Sequence, residues 1–200
     1  MTATLDRPAA PATRSSTPLG SLAVVAGGVL FAIGNAMHPL RHDHAALESP
    51  TWLPAHLVFG AGALLMAAGI GALFRLLSPS RLAVAGLSVL WIGLVLMPIG
   101  SILEGYIARA MEHDAFHDLE TSLLWHSMLA GTSTILGPVL IAIGALRNRL
   151  LPVPVALMLP AITVGALAVG VVPVEGYGII PGTVLFGLGM ACIGWISRSR

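Results

Sequence analysis

The chain has 200 residues, 56% of them apolar and only 10% charged, with a formal net charge of +1. A mean hydropathy of +0.89 lies outside the range of soluble globular domains and predicts an all-α integral membrane protein whose main partner is the lipid bilayer. No cluster of basic residues interleaved with aromatics offers a surface for nucleic acid, and a single cysteine, Cys192, excludes an intrachain disulfide framework or thiolate metal site.

Residues 1–18, MTATLDRPAAPATRSSTP, read as a disordered cytoplasmic tail rich in Thr, Ala, Pro and Ser. Behind it, residues 19–197 read as a transmembrane domain. Crossing a hydrocarbon core takes about 20 apolar residues. Six such runs can be drawn, at approximately 19–38, 53–74, 82–107, 122–146, 151–173 and 177–196, and they predict a six-helix transmembrane bundle. The first run is long for a signal-peptide core and lacks a small-x-small cleavage site, so it is expected to remain as a span.

In the first span Asn35 and His38 stand three apart, hence on one helical face, just before Pro39 stops the helix. The second span opens with Trp52, expected as an interfacial anchor, and carries His56 one turn later above a face of small residues, Gly60, Ala63 and Ala67. The third carries Ser101 and Glu104 on one face, with Glu104 about 34 Å above Arg81 at a helical rise. Pro98, nearly two turns below Glu104, is expected to kink this helix.

The loop that follows holds His113 and His117 four apart among Glu112, Asp114 and Asp118. On a helix both imidazoles would point one way and suit a divalent metal; without an apolar helix around it the segment reads better as a solvated polar loop. His42 and His44, in the first loop, likewise read as outer-loop residues. In the fourth span His126 lies at the outer end, with Ser133 and Thr134 two turns deeper on roughly the same face. Pro138 frees the carbonyl of Thr134, so these hydroxyls either line a wet cavity or bond back to their own helix. The fifth span holds Pro152, Pro154, Pro160 and Pro173 and should bend near its middle; the sixth is rich in glycine, and both read as packing elements.

Orientation follows from the basic residues, all ten of which are arginines. Arg7, Arg14, Arg75, Arg81, Arg147, Arg149, Arg198 and Arg200 fall on one side of a six-span topology, which predicts a multi-pass cell-membrane protein with both termini cytoplasmic. All seven histidines, and every acid but Asp6, then fall at or beyond the opposite boundary. An internal resemblance between IGALFRLLSPSRLAVAGL from Ile70 and IGALRNRLLPVPVALMLP from Ile143 predicts a weak parallel hairpin repeat relating spans two and three to four and five. Counted back from the arginines, it puts His56 and His126 at similar depth.

The expectation that follows is an outer-leaflet site made by Glu104, His56, His126 and His38, with Asn35 and Ser101 supporting them and Ser133 and Thr134 lining a pocket beneath. Ionisable groups inside spans are costly and usually face a bundle interior or a functional cavity. Three function classes fit. One is acid-base or metal-assisted chemistry on a lipophilic small molecule such as an isoprenoid or lipid, with Glu104 as general acid or base and His38, His56, His126 and Glu104 as the candidate ligands of a divalent metal. Another is a b-type haem held between His56 and His126, with Gly60, Ala63, Ala130 and Gly131 making room for the ring. The last is a scaffold or accessory subunit whose histidines meet only water and headgroups. Motifs for nucleotide binding, serine nucleophiles and zinc hydrolases are absent, and no charge sits at mid-membrane as an ion-coupled transporter would need.

Overall fold

The computed structural model describes residues 18–41 and 43–199, and every regular element in them is helical. The expected tail, apart from Pro18, and His42 lie outside the described residues. The elements are α1 (Pro18–Met37), a short α2 (His44–Leu47), α3 (Trp52–Gly69), α4 (Gly71–Leu77) and α5 (Arg81–Ile102). A π-helical turn, Leu103–Ile107, continues α5 and leads into α6 (Ala108–Ala110). Then come α7 (His113–Ser122), α8 (Leu124–Arg147), α9 (Val153–Met158), α10 (Ala161–Ala168) and α11 (Glu175–Arg198).

Among the described residues five stretches are long and apolar enough to cross a membrane: Leu19–Met37, Trp52–Gly69, Arg81–Ala110, Leu124–Arg147 and Gly176–Arg198. Large apolar side chains, among them Ile33, Leu64, Ile102, Met128, Leu136 and Leu167, are exposed around the outside, as suits a protein whose solvent is lipid. The expected fifth span, 151–173, is not one helix. It is α9 and α10, together the shorter apolar stretch Val153–Ala168, which at about 1.5 Å per residue covers roughly 24 Å against a hydrocarbon core of about 30 Å. Pro160 is the cause: it has no N–H to donate and its ring collides with the preceding turn, so α9 ends at Met158 and a new helix begins at Ala161.

The long helices form a closed ring. α1 packs between α3 and α11, α5 between α3 and α8, and α10 between α8 and α11. Glycine makes these contacts intimate. A Cβ added at Gly62 would stand 2.5 Å from the backbone nitrogen of Phe31, and one at Gly28 2.5 Å from the carbonyl of Gly187, so main chains touch with no side chain between them.

One end of the ring carries the arginine-bearing turns. There the Ser197 hydroxyl donates to the Ala72 carbonyl at 2.9 Å, and the Ser80 hydroxyl caps α5 by accepting from the Ala83 N–H at 3.3 Å. Gly144, one turn before Arg147, packs against that same Ser80 and Ala83. At the other end, that of the histidines, the Gly176 N–H donates to the Leu40 carbonyl at 2.9 Å and joins the start of α11 to the end of α1. The apolar core fills the arginine half and the middle, with Leu73, Leu77, Leu87, Leu90, Leu94, Phe186 and Met190 all fully buried.

The two halves of the sequence resemblance build different structures. IGAL from Ile70 falls at the break between α3 and α4 and is followed by the 22-residue α5; IGAL from Ile143 falls in the last turns of α8 and is followed by the broken α9 and α10. Proline placement, not the shared tetrapeptide, decides the geometry.

Candidate functional site

At the histidine end α1, α3 and α8 each bring one imidazole, and the π-helical turn after α5 brings Glu104. α1 stops at Met37 because Pro39 follows, and the chain leaves through His38, whose N–H closes a turn on the Asn35 carbonyl at 3.2 Å. The His38 ring donates Nδ1–H to the Pro39 carbonyl at 2.8 Å, while Asn35 anchors its amide to the Phe31 carbonyl at 2.8 Å. On α3, His56 is 2% exposed and donates Nδ1–H to the Trp52 carbonyl at 2.8 Å. In both rings this hydrogen bond makes Nδ1 the proton-bearing nitrogen and Nε2 the basic one.

His126, in the first turn of α8, is oriented the other way. Its Nε2–H donates across the ring to the Leu96 carbonyl of α5 at 3.2 Å, and its Nδ1 is buried without a hydrogen-bond partner. Three imidazoles are therefore each pinned by one nitrogen to a main-chain carbonyl.

Glu104 sits on the π-helical turn. There the Ala108 N–H bonds to the Leu103 carbonyl, one residue further back than an α-helix requires, so the Glu104 carbonyl is released from the ladder and accepts the Trp52 indole N–H at 2.8 Å. α5 runs unbroken through Pro98, and the change of helix type comes more than a turn beyond it, at Leu103. Gly105 lets the turn lie against His56, where an added Cβ would meet the histidine Cβ at 3.0 Å.

Asn35, His38, His56, Ser101, Glu104 and His126 all line one cavity of about 330 Å³ at the histidine end of the ring. Its remaining walls are Phe59, Met97, Gly100, Ser127, Ala130, Ile179 and Ile180, chiefly apolar. Ser133 and Thr134 lie deeper on α8, buried, and are not among the lining residues. The Thr134 hydroxyl bonds back to the carbonyls of Ala130 and Gly131, the internal use of a hydroxyl that a buried helix favours. The pocket beneath the histidines therefore ends above Ser133 and Thr134.

Trp52 is the main residue that sequence reasoning misplaced. Expected at the headgroup interface, it is fully buried, its ring 4.5 Å from that of His56 and 5.1 Å from that of His38 between centroids. The two histidine rings are 4.9 Å apart, and Phe59 stands 5.2 Å below His56. The signal was present as spacing: Trp52, His56 and Phe59 follow one another at four and three residues and so share a helical face. The contributions of Ile179 and Ile180 carried no such signal.

His113 and His117 do lie on a helix, α7, which has no buried residue; the His117 ring is 4.0 Å from the Glu120 carboxylate with both side chains largely exposed. Among the described residues no three His, Cys, Asp or Glu side chains are grouped to hold a metal ion, so neither this pair nor His38, His56, His126 and Glu104 forms a ligand set. The residues do not fit a haem either. His126 has its Nε2 engaged by Leu96, and Gly60, expected to make room for the ring, is closed by Ser101, whose Oγ would stand 2.7 Å from an added Cβ. No family model, curated protein or solved structure matches this chain.

Proposed function

We propose that this protein performs acid-base chemistry on a lipophilic small molecule, of the isoprenoid or lipid kind, held in the cavity at the histidine end. The observation that carries the reading is the pinning of His38, His56 and His126 to main-chain carbonyls around one mostly apolar cavity that also holds Glu104. Histidines that merely meet headgroups need no such orientation and would not be buried to 2% exposure as His56 is. Pre-oriented imidazole beside carboxylate is the usual equipment of proton transfer near neutral pH, and apolar walls select the ligand. The unpartnered Nδ1 of His126 calls for a donor, so the ligand carries a hydroxyl or an equivalent polar head.

The same proposal includes six crossings with both termini cytoplasmic and the histidine end outside. It is supported by the path of the chain, which leaves buried Leu151 beside the arginine end and reaches Gly176 beside Leu40 at the other end through α9 and α10. Cysteine labelling after Arg149 should be protected from outside in intact cells; external labelling there would reverse the orientation.

Extraction tests the chemistry. Protein purified in mild detergent should release a hydroxyl-bearing lipophile at near-stoichiometric yield on solvent extraction and mass spectrometry. Gly100→Phe, which projects into the cavity from a position where an added Cβ meets nothing within 4 Å, should lower that yield by about tenfold, the equivalent of 1.4 kcal/mol. Equal yields from the two proteins, or no bound lipophile in either, would defeat the reading.

A further inference from the structure

Outside the histidine cavity lies a second chamber, of about 470 Å³, whose walls carry Asp43, Glu48, Arg109, His113 and Glu120 beside the apolar Leu47, Ala108, Met111 and Phe116. The five polar side chains are all exposed, so this chamber belongs to water. Comparing the walls of the two chambers leaves a single shared residue among the described ones, Glu104.

The main chain at Glu104 is held firmly between them. The Trp52 indole clamps its carbonyl, and Gly105 presses on His56. On the far side of the histidine cavity there is no comparable route: the space toward the arginine end is filled by buried Phe31, Leu90, Leu94, Ile141 and Phe186. A buried acid-base site must still exchange protons with a bulk phase, and here one half-buried acidic residue, Glu104, lines both the exposed chamber and the cavity of the imidazoles.

We propose that Glu104 is a proton relay through which the histidine cavity is charged and discharged from the outer chamber. The inference rests on the acid-base reading given above. In the inward step the Glu104 carboxylate takes a proton from water in the chamber, forming the carboxylic acid and leaving hydroxide there or consuming hydronium. The acid then gives that proton to Nε2 of His38 or His56, whose Nδ1–H is already committed to a carbonyl, which makes the imidazolium and restores the carboxylate. The reverse sequence returns it. On the cavity side the titratable groups facing the relay are His38, His56 and His126; on the chamber side they are Asp43, Glu48, His113 and Glu120, with Arg109 as the fixed charge.

Trp52 provides the readout, because its ring lies against both His38 and His56 and imidazolium quenches indole fluorescence. The three other tryptophans, Trp91, Trp125 and Trp195, are 47%, 81% and 60% exposed and can be replaced by Phe. The resulting single-tryptophan protein, in phosphatidylcholine nanodiscs, is given a laser-driven proton pulse from a caged acid, starting above the ordinary imidazole pKa of about 6.5. Trp52 should be quenched after the pulse, and Glu104→Gln should slow that quenching by about tenfold or more, within the range that a positioned acid-base group contributes. Glu104→Asp, which keeps the carboxyl, should restore most of the rate. An unchanged rate in Glu104→Gln would overturn the relay, as would slow quenching in Glu104→Asp or no quenching in the parent protein. The measurement uses no lipophilic ligand, so failure of the relay is read in the quenching rate and failure of the reading it rests on is read in the extraction.

Discussion

At the arginine end the interior of the ring is solid. Leu73, Leu77, Leu87, Leu90 and Leu94 are fully buried, and helices meet through glycines with main chain against main chain. At the histidine end the same α1, α3, α5, α8 and α11 leave an open pocket of about 330 Å³ lined by His38, His56, His126 and Glu104. Close packing is the default of protein interiors, and in a bilayer it supplies much of what holds helices together. Glycines bring main chains together at the histidine end as well, Gly34 against Phe59 and Gly176 against Leu40, so the two ends differ in the pocket and the polar side chains lining it rather than in whether the helices touch.

The largest effect expected from testing this contrast is in the solid half. In Gly62→Ala the new methyl would stand 2.5 Å from the Phe31 nitrogen and 2.7 Å from the Gly27 carbonyl. Both neighbours are backbone and cannot swing aside, so the loss should approach the upper end of overpacking costs, about 3 kcal/mol. Reversible unfolding of the detergent-solubilised protein measures it. A variant as stable as the parent would show that α1 and α3 do not lock through Gly62.

A smaller effect is expected at the boundary between the halves. Trp52→Phe keeps an aromatic ring against His56 but removes the indole N–H, stranding the Glu104 carbonyl that the π-helical turn had released. Loss of one buried hydrogen bond with its acceptor left in place should cost about 1–2 kcal/mol. The same unfolding assay reads it, and a neutral result would mean that the turn finds its partner elsewhere.

How much of this was legible in the sequence depends on whether the information was local. Helical spacing put Asn35 with His38 and Ser101 with Glu104 on shared faces, and these four residues do line one pocket with His56 and His126, whereas Phe59, Met97, Ile179 and Ile180, which complete its walls, were not read from the sequence. The π-helical turn could not be read, since nothing in LEGYI marks a slip of one residue in the ladder. Nor could the burial of Trp52, because the same residue at the same helix start serves equally well at a headgroup interface. The fifth apolar run was long enough by count, and the proline-rich sequence predicted a bend; the break into α9 and α10 is a stronger version of that effect. For Ser133 and Thr134 both uses of a buried hydroxyl were open, and which one prevails depends on how closely α5 approaches α8: Gly93 lets it come so near that an added Cβ would meet the Thr134 nitrogen at 2.9 Å.

The smallest expected effect is also the one that most sharpens the contrast, because it repeats the first substitution at the other end. Gly100 lies in the interior of α5 and lines the cavity, and an added Cβ there meets nothing within 4 Å. In water a Gly to Ala change inside a helix favours the helix by about 1 kcal/mol. Helices in a bilayer persist after they separate, so part of that gain is already present in the unfolded reference and the net benefit should be smaller. Gly100→Ala should therefore be neutral or stabilising by less than about 1 kcal/mol, and it should retain the extracted lipophile that Gly100→Phe loses. The same methyl thus has opposite signs at Gly62 and Gly100, although both are helical glycines in apolar surroundings. Destabilisation of Gly100→Ala by more than about 1 kcal/mol, beyond anything helix propensity can supply, would mean that the space beside Gly100 is closed in the folded protein and that the two halves of the ring do not differ as described.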